Sequence, residues 1–302
     1  MPQNTSAAAE ILGKEFPCLD HGFVRLVDYM GSDEAVVQAA RVSYGEGTRK
    51  LREDRGLIRY LMRHQHTTPF EMVEFKFHCK MPIFVARQWI RHRTASVNEY
   101  SLRYSKAINE FYLPESGTLN FQSETNKQGR SAESVDEELQ KQILSLIKTG
   151  TEQAWQDYEK LEATGLSREL ARINLPLSLY TEWYWKIDLH NLLHFLKLRL
   201  DEHAQYEIRV YGRAMAEIIK IVTPLSWEAF EDYILNAKTF SQTELFILTR
   251  LMELEQNQAN LANLLETSKL SKREVDEFLE KLDAMASNRE LSKVNLKNPE
   301  PY

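Results

Sequence analysis

Residues 71–80, EMVEFKFHCK, alternate without a break: Val73, Phe75, Phe77 and Cys79 on one side, Met72, Glu74, Lys76 and His78 on the other. A period of two buries one face only if the segment is a strand. Pro82 follows, and proline suits the first turn of a helix, where its missing amide costs nothing. The next residues, IFVARQWIRHR, supply that helix. Arg87 and Arg91 fall four apart on it, one above the other. Phe84, Val85, Trp89 and Ile90 spread over much of its surface, so it reads as buried. The chain therefore has to place a half-buried strand and a buried, arginine-bearing helix in immediate succession.

The rest of the sequence divides around this unit. Residues 1–15 read as a loosely held arm. GFVRLVDYMG, 22–31, reads as a strand ending at Gly31. Ser32 or Asp33 can cap the helix EAVVQAARVS, and YGEGTRK is a loop. Leu57, Tyr60, Leu61 and His64 recur at helical spacing within 51–65, and HTTPF at 66–70 breaks that helix at Pro69. Residues 94–104 are polar and leave the arginine-bearing helix. Residues 112–131, with Pro114, Gly117 and Gly129, read as a surface loop. Helices are expected at 133–148 and 151–162, the second stopped by Gly165, and Ser167 can cap a short helix carrying Glu169 and Arg172. A strand follows Pro176 within 175–189, then helices at 189–199, 202–220 and 226–235. Many helices with few strands indicate an α+β protein.

After residue 236 the composition shifts. Ser241 with Glu244, and Ser271 with Glu274, have capping-box spacing. Leu245, Leu248, Leu251, Leu254, Leu261, Leu264 and Leu265 form an apolar stripe. Residues 1–235 are thus expected to be the functional domain and 236–302 a helical extension for packing or assembly.

Length and charge narrow the classes. The chain has 302 residues, enough for two domains or one large domain with an appendage. It is 43% hydrophobic and 27% charged, which argues against wholesale disorder. No apolar run approaches the ~18 residues of a membrane span, and the N-terminus lacks the pattern of a secretory signal. Thirty-eight basic against 44 acidic residues give a charge of -6, so a long nucleic acid is not favoured, while a local basic pocket remains open. Cys18 and Cys79 make no disulfide framework, and a cytoplasmic location is the expectation.

The densest chemistry lies at 87–103. Arg87, Arg91, His92, Arg93 and Arg103 surround one carboxylate, Glu99, with Ser96, Asn98 and Ser101 as neutral partners. Guanidinium groups grip phosphate through paired hydrogen bonds. The competing reading is a solvated basic helix end, which suits the helix dipole. His190 and His194 share a helix face at metal-ligand spacing, but there is no HExxH and no nearby cysteine, so no metal is expected. Glu169 with Arg172, and Arg199 with Asp201, read as surface ion pairs. No GxGxxG, Gly-rich GK[ST] loop or GxSxG occurs.

The segment RHRTASVNEYSLR, 91–103, resembles the signature RHRxxSxNExSxR of the flavin-dependent thymidylate synthases at all eight fixed positions. HGFVRLVDYMG, AARVSYGEG, LMRHQHTTPFEMVEF, PIFVARQWIRHR, LARINLPLSLYTEWYW and LRLDEHAQYEIR are similar to that family in the same order, over roughly residues 20–235. The resemblance implies an α+β fold with a central, mostly antiparallel sheet flanked by helices. It implies a homotetramer with FAD at subunit interfaces, and conversion of dUMP to dTMP. Methylenetetrahydrofolate supplies the carbon, NADPH reduces the flavin, and tetrahydrofolate is released.

By the same resemblance, Arg87, Gln88, Glu99, Ser101, Leu102, Arg103 and Arg172 lie on the nucleotide side. Arg199 meets the uracil ring, and His66 sits near the flavin. Ser43, Thr68, Glu71, Arg91, His92, Arg93, Ser96, Asn98 and His203 are implied flavin contacts. Asp188, His190 and His194 stand where some members carry asparagine or arginine, so the adenosine end of FAD is expected to be held differently here. Leu102 replaces a glycine of some members. The alternatives are a flavin- or nucleotide-binding regulatory protein without turnover, and a helical scaffold built on the extension.

Overall fold

The computed structural model describes residues 6–42, 51–124, 129–242 and 270–287, with 245, 248, 261 and 265. The chain divides into two compact units after Asn236.

In the first unit the alternating segment is a strand, and it lies inside a five-stranded sheet. The strands are β1 (Glu15–Cys18), β2 (Gly22–Met30), β3 (Glu74–Pro82), β4 (Ser96–Glu99) and, much later, a strand Tyr180–Asp188. The last of these is β7, since a hairpin of β5 (Asn120–Gln122) and β6 (Arg130–Ser134) intervenes. The sheet order is β1-β2-β3-β7-β4, with every neighbouring pair antiparallel. The register places Phe75 opposite Ile187, Phe77 opposite Trp185 and Cys79 opposite Trp183. Directly opposed residues share a face, and these form the inner one. Val73, Phe75, Phe77, Cys79 and Met81 are all fully buried, as the alternation requires. The outer face carries Arg25, Lys76, His78, Lys80, Glu182 and Tyr184; the His78 ring lies 5.0 Å from both Phe23 and Tyr184.

Helices α4 (Ile83–Trp89), α7 (Leu189–Arg199) and α8 (Tyr206–Val222) pack on the inner face, and α2 (Asp33–Arg41), α3 (Leu51–Arg63) and α9 (Pro224–Phe230) join the same core. Trp89 at the end of α4 has no exposed surface and meets Trp183, Trp185, Phe195 and Tyr211, with ring centroids between 5.2 and 5.8 Å apart. Truncating such a side chain costs about 3–5 kcal/mol. Gly22 sits under this layer, where a Cβ would collide with the Tyr211 hydroxyl. Asp33, buried in the first turn of α2, accepts bonds from the Leu225 and Ser226 amides and the Ser226 hydroxyl. That carboxylate satisfies the exposed amides at the start of α9.

Several expectations change. The arm at 1–15 holds a helix, α1 (Ser6–Ile11), and the start of β1; Ala8 and Ile11 are buried, so it is packed rather than loose. Pro69 lies in the first turn of a short 3₁₀ helix, Thr68–Met72, and the strand begins at Glu74. The buried helix ends at Trp89, with Ile90 half exposed, so Arg91 lies beyond it and does not stack on Arg87. The polar segment after it contains β4, whose four exposed residues carry no apolar alternation to reveal it. The expected loop at 112–131 contains most of the β5–β6 hairpin. The two helices expected at 133–148 and 151–162 are one, α5 (Glu137–Ala163), capped by Asp136 and running through Gly150. Gly165, at φ +81°, ends it as expected, and the short helix after Ser167 is α6 (Arg168–Ala171), which carries Glu169 with Arg172 just past its end.

In the second unit the capping box of Ser271 and Glu274 forms, with bonds of 2.8 and 3.4 Å, at the start of the helix Lys272–Ser287. Leu251, Leu254, Leu264 and Glu244 lie outside the described residues. Among the described residues no helix is long and apolar enough to cross a membrane.

Candidate active site

Burial of Trp89 fixes the end of α4, and the His92 amide closes on the Trp89 carbonyl at 3.0 Å. That places His92 edge-on against Phe195 of α7, 4.8 Å between centroids. Phe195 and Arg199 are four apart on α7, so Arg199 comes to the same place. Its Nε donates to His92 Nε2 at 3.0 Å. The His92 pKa is lowered to about 4, by burial first, then by Arg199 and by His194, whose ring lies 6.2 Å away. At neutral pH His92 is an uncharged acceptor. Burial also lowers the Arg199 pKa, yet guanidinium stays charged. Arg199 is thus a partly desolvated cation held by Nε alone, with both Nη groups uncommitted among the described residues.

The remaining arginines form a contrasting set. Arg87, Arg91 and Arg93 are exposed and Arg172 half-buried, and none has a hydrogen bond or ion pair among the described residues. Arg103 pairs with Glu169 at 3.2 Å. Glu169 therefore does not pair with Arg172, and Arg199 turns to His92 rather than to Asp201. Ser101 closes a turn by accepting the Tyr104 and Ser105 amides, while its hydroxyl accepts the Arg103 amide at 3.3 Å. Leu102 packs on a small second core of Ala107, Tyr158, Ala171 and Leu179. Glu99 accepts from the Thr181 hydroxyl at 2.8 Å, so in this structure its partner is a threonine and not an arginine. Ser96 and Asn98 stand on the outer face of β4, opposite Lys186 and Tyr184.

Another group gathers where β3 begins and β7 ends. The turn carrying Thr68 and Glu71 packs on α7. It leads to Val73, whose carbonyl accepts the Leu189 amide at 2.8 Å. Asp188 caps α7 by accepting the Asn191 amide at 2.9 Å and its side chain at 2.7 Å. His190 follows, half-buried, and His194 is exposed one turn on. His66 is exposed, 5.7 Å from the Tyr60 ring. His203 Nδ1 meets Asp201 at 2.9 Å on the loop before α8. Ser43 lies outside the described residues.

Sequence reasoning passed over Gln205, Glu207 and Arg130. Gln88 donates to Gln205, Gln205 donates to Glu207 at 2.9 Å, and Arg130 donates to the same carboxylate. An acidic residue beside Ile208 and Tyr211, on the buried face of α8, was the available signal.

Neither cysteine offers a nucleophile. Both are buried; burial pushes the Cys18 thiol up to about 12 and Cys79 well above its usual value. Among the described residues no three His, Cys, Asp or Glu side chains are grouped to hold a metal ion. The uncommitted donors do suit FAD: its diphosphate needs cations, which Arg91 and Arg93 supply unpaired, and its ring edges need neutral donors and acceptors.

Comparison with known proteins agrees with this chemistry. Residues 25–225 match the family model described as thymidylate synthase complementing protein. A flavin-dependent thymidylate synthase of Rickettsia conorii is 52% identical over 285 residues, covering 90% of this chain and 95% of that protein. One from Gluconobacter oxydans is 55% identical, covering 93% of each. Among solved structures, a UMP/dUMP methylase from Streptomyces cacaoi bound with 5-Br UMP superposes with a TM-score of 0.66 at 35% identity, covering 73% of this chain and 98% of that one. With the signature, the antiparallel sheet and the arginine-histidine site all in place, this chain belongs to the flavin-dependent thymidylate synthase family.

Proposed function

We propose that this chain converts dUMP to dTMP, with FAD as its redox group, methylenetetrahydrofolate as carbon donor and NADPH as reductant. Tetrahydrofolate is the released folate. The enzyme works in the cytoplasm as a homotetramer whose sites lie between subunits, and residues 236–302 serve packing or assembly. The observation that carries the reading is Arg199, a partly desolvated cation oriented by a neutral histidine.

Bound FAD supplies hydride transfer, which no side chain here can perform. The chain supplies binding and charge. Arg91, His92, Arg93, Ser96, Asn98, Thr68, Glu71 and His203 hold the cofactor, with Asp188, His190 and His194 towards its adenosine end. Arg87, Arg103 and Arg172 hold the nucleotide phosphate, with Gln88, Ser101 and the Leu102 backbone beside them. Glu99, already bonded to Thr181, keeps a second oxygen for a sugar hydroxyl. Arg199 directs its Nη groups at the pyrimidine and stabilises negative charge as the ring is reduced. Because His92 is neutral, it accepts from Arg199 without cancelling that charge. His66 positions folate or passes protons at the flavin edge.

A cysteine attack on the base is absent from this scheme, and the two buried, protonated thiols support that. A regulatory binder without turnover has no use for a cation fixed in this way. The test is turnover: the full chain with FAD, dUMP, methylenetetrahydrofolate and NADPH is assayed for thymidylate. Protein that binds no flavin and forms no thymidylate would refute the reading.

A further inference from the structure

The first turn of α8 holds a carboxylate that the scheme above leaves unused. Glu207 is 1% exposed. One oxygen accepts from Arg130 of β6 and from the Tyr112 hydroxyl at 3.0 Å; the other accepts from Gln205 Nε2 at 2.9 Å. Arg130 is held in turn by the Thr118 carbonyl at 3.1 Å. A carboxylate only accepts, so the Gln205 amide must turn its NH₂ towards Glu207. Its carbonyl then faces Gln88, which must donate its own NH₂ to it. Gln88 then keeps its carbonyl oxygen and one N–H for a ligand, and the oxygen has no partner among the described residues.

We propose that Glu207 and Gln205 are positioning residues that set the direction of hydrogen bonding at Gln88, so that Gln88 offers the nucleotide an acceptor. That oxygen reads a donor, the ring N3–H or the sugar 3′-hydroxyl. This rests on the reading of Gln88 as a nucleotide-side residue. Glu207→Gln inverts the chain: the new amide keeps its oxygen towards Arg130, turns its NH₂ to Gln205, and both glutamines reverse, leaving Gln88 with an NH₂ to present.

The test uses the flavin-loaded full chain and three nucleotides: dUMP, its N3-methyl analogue and its 3′-deoxy analogue. Wild type prefers dUMP to one of the two analogues by ~10-fold or more, about the worth of one hydrogen bond, and which analogue suffers identifies the donor. Gln205→Ala and Glu207→Gln lower that preference towards unity and raise Kd for dUMP, with kcat changing less. Gln205 is exposed, so its variant stands even if the Glu207 variant does not fold. Gln88→Ala combined with Gln205→Ala is no worse than Gln88→Ala alone. Variants at 205 and 207 that keep the wild-type preference, or effects at 88 and 205 that simply add, overturn the proposal while Gln88 itself still matters. If Gln88→Ala binds dUMP as wild type does, the assignment of Gln88 falls and the proposal falls with it, while thymidylate formation separately judges the proposed reaction.

Discussion

The two halves of the site are built on opposite principles. Around Arg199 the chain fixes the direction of the cation: Trp89 fixes the end of α4, Phe195 supports the His92 ring, and His92 takes one bond of the guanidinium. Around Arg87, Arg91, Arg93 and Arg172 it leaves cations without partners among the described residues. A buried charge must be oriented by the fold because water cannot compensate an error there. A surface charge can stay solvated until an anion arrives. In the proposed scheme the first region is set before binding, and the second is organised by the ligand. Affinity should follow the unpartnered arginines and rate the one held by His92.

Substitution at Arg199 gives the largest expected effect. Arg199→Ala should lower kcat by ~10²-fold or more, the usual consequence of removing a pre-oriented charge, with flavin retained. Unchanged kcat/KM would remove the distinction between the halves. Arg172→Ala should instead act on binding, raising the Kd for dUMP by roughly 5- to 150-fold, or about 1–3 kcal/mol for a charged hydrogen bond. Nucleotide titration of the flavin-loaded variant measures this, and a selective loss of kcat would count against it. Ionic strength should divide the regions further. Raising salt weakens dUMP binding several-fold through the exposed arginines, while turnover at saturation changes little.

The smallest signal is at His92. Its imidazole should titrate near pH 4 by NMR. Arg199→Ala should raise that value but leave it below the free-histidine value, because burial is the larger cause. The sign for stability follows. An unfolded histidine titrates near 6.5, so between about 6.5 and 4 the unfolded chain binds more protons. Stability from this group is full above that window and is lost as pH falls through it. A His92 resonance titrating near 6.5 would mean that neither the burial of His92 nor its bond to Arg199 is as described.

What could be read from the sequence follows the same division. The inner sheet face was legible because Val73, Phe75, Phe77 and Cys79 alternate without exception. β4 was not, since all four of its residues are exposed and it is held by backbone pairing to β7. The signature at 91–103 marked candidate residues but not their partners. Glu169 was seen beside Arg172 in sequence, whereas its partner Arg103 lies 66 residues away. The link from Gln88 to Glu207 spans 119 positions through Gln205 and has no local pattern at all. Hydrogen-bond partners across such separations are set by packing, and only the folded chain displays them.

The most direct measurement is the folate product of a single reaction mixture: the full chain with FAD, dUMP, methylenetetrahydrofolate and NADPH. One tetrahydrofolate for each thymidylate is expected, because the ring is reduced by flavin while the protein contributes charge and position. Dihydrofolate accumulating in step with thymidylate would contradict the account.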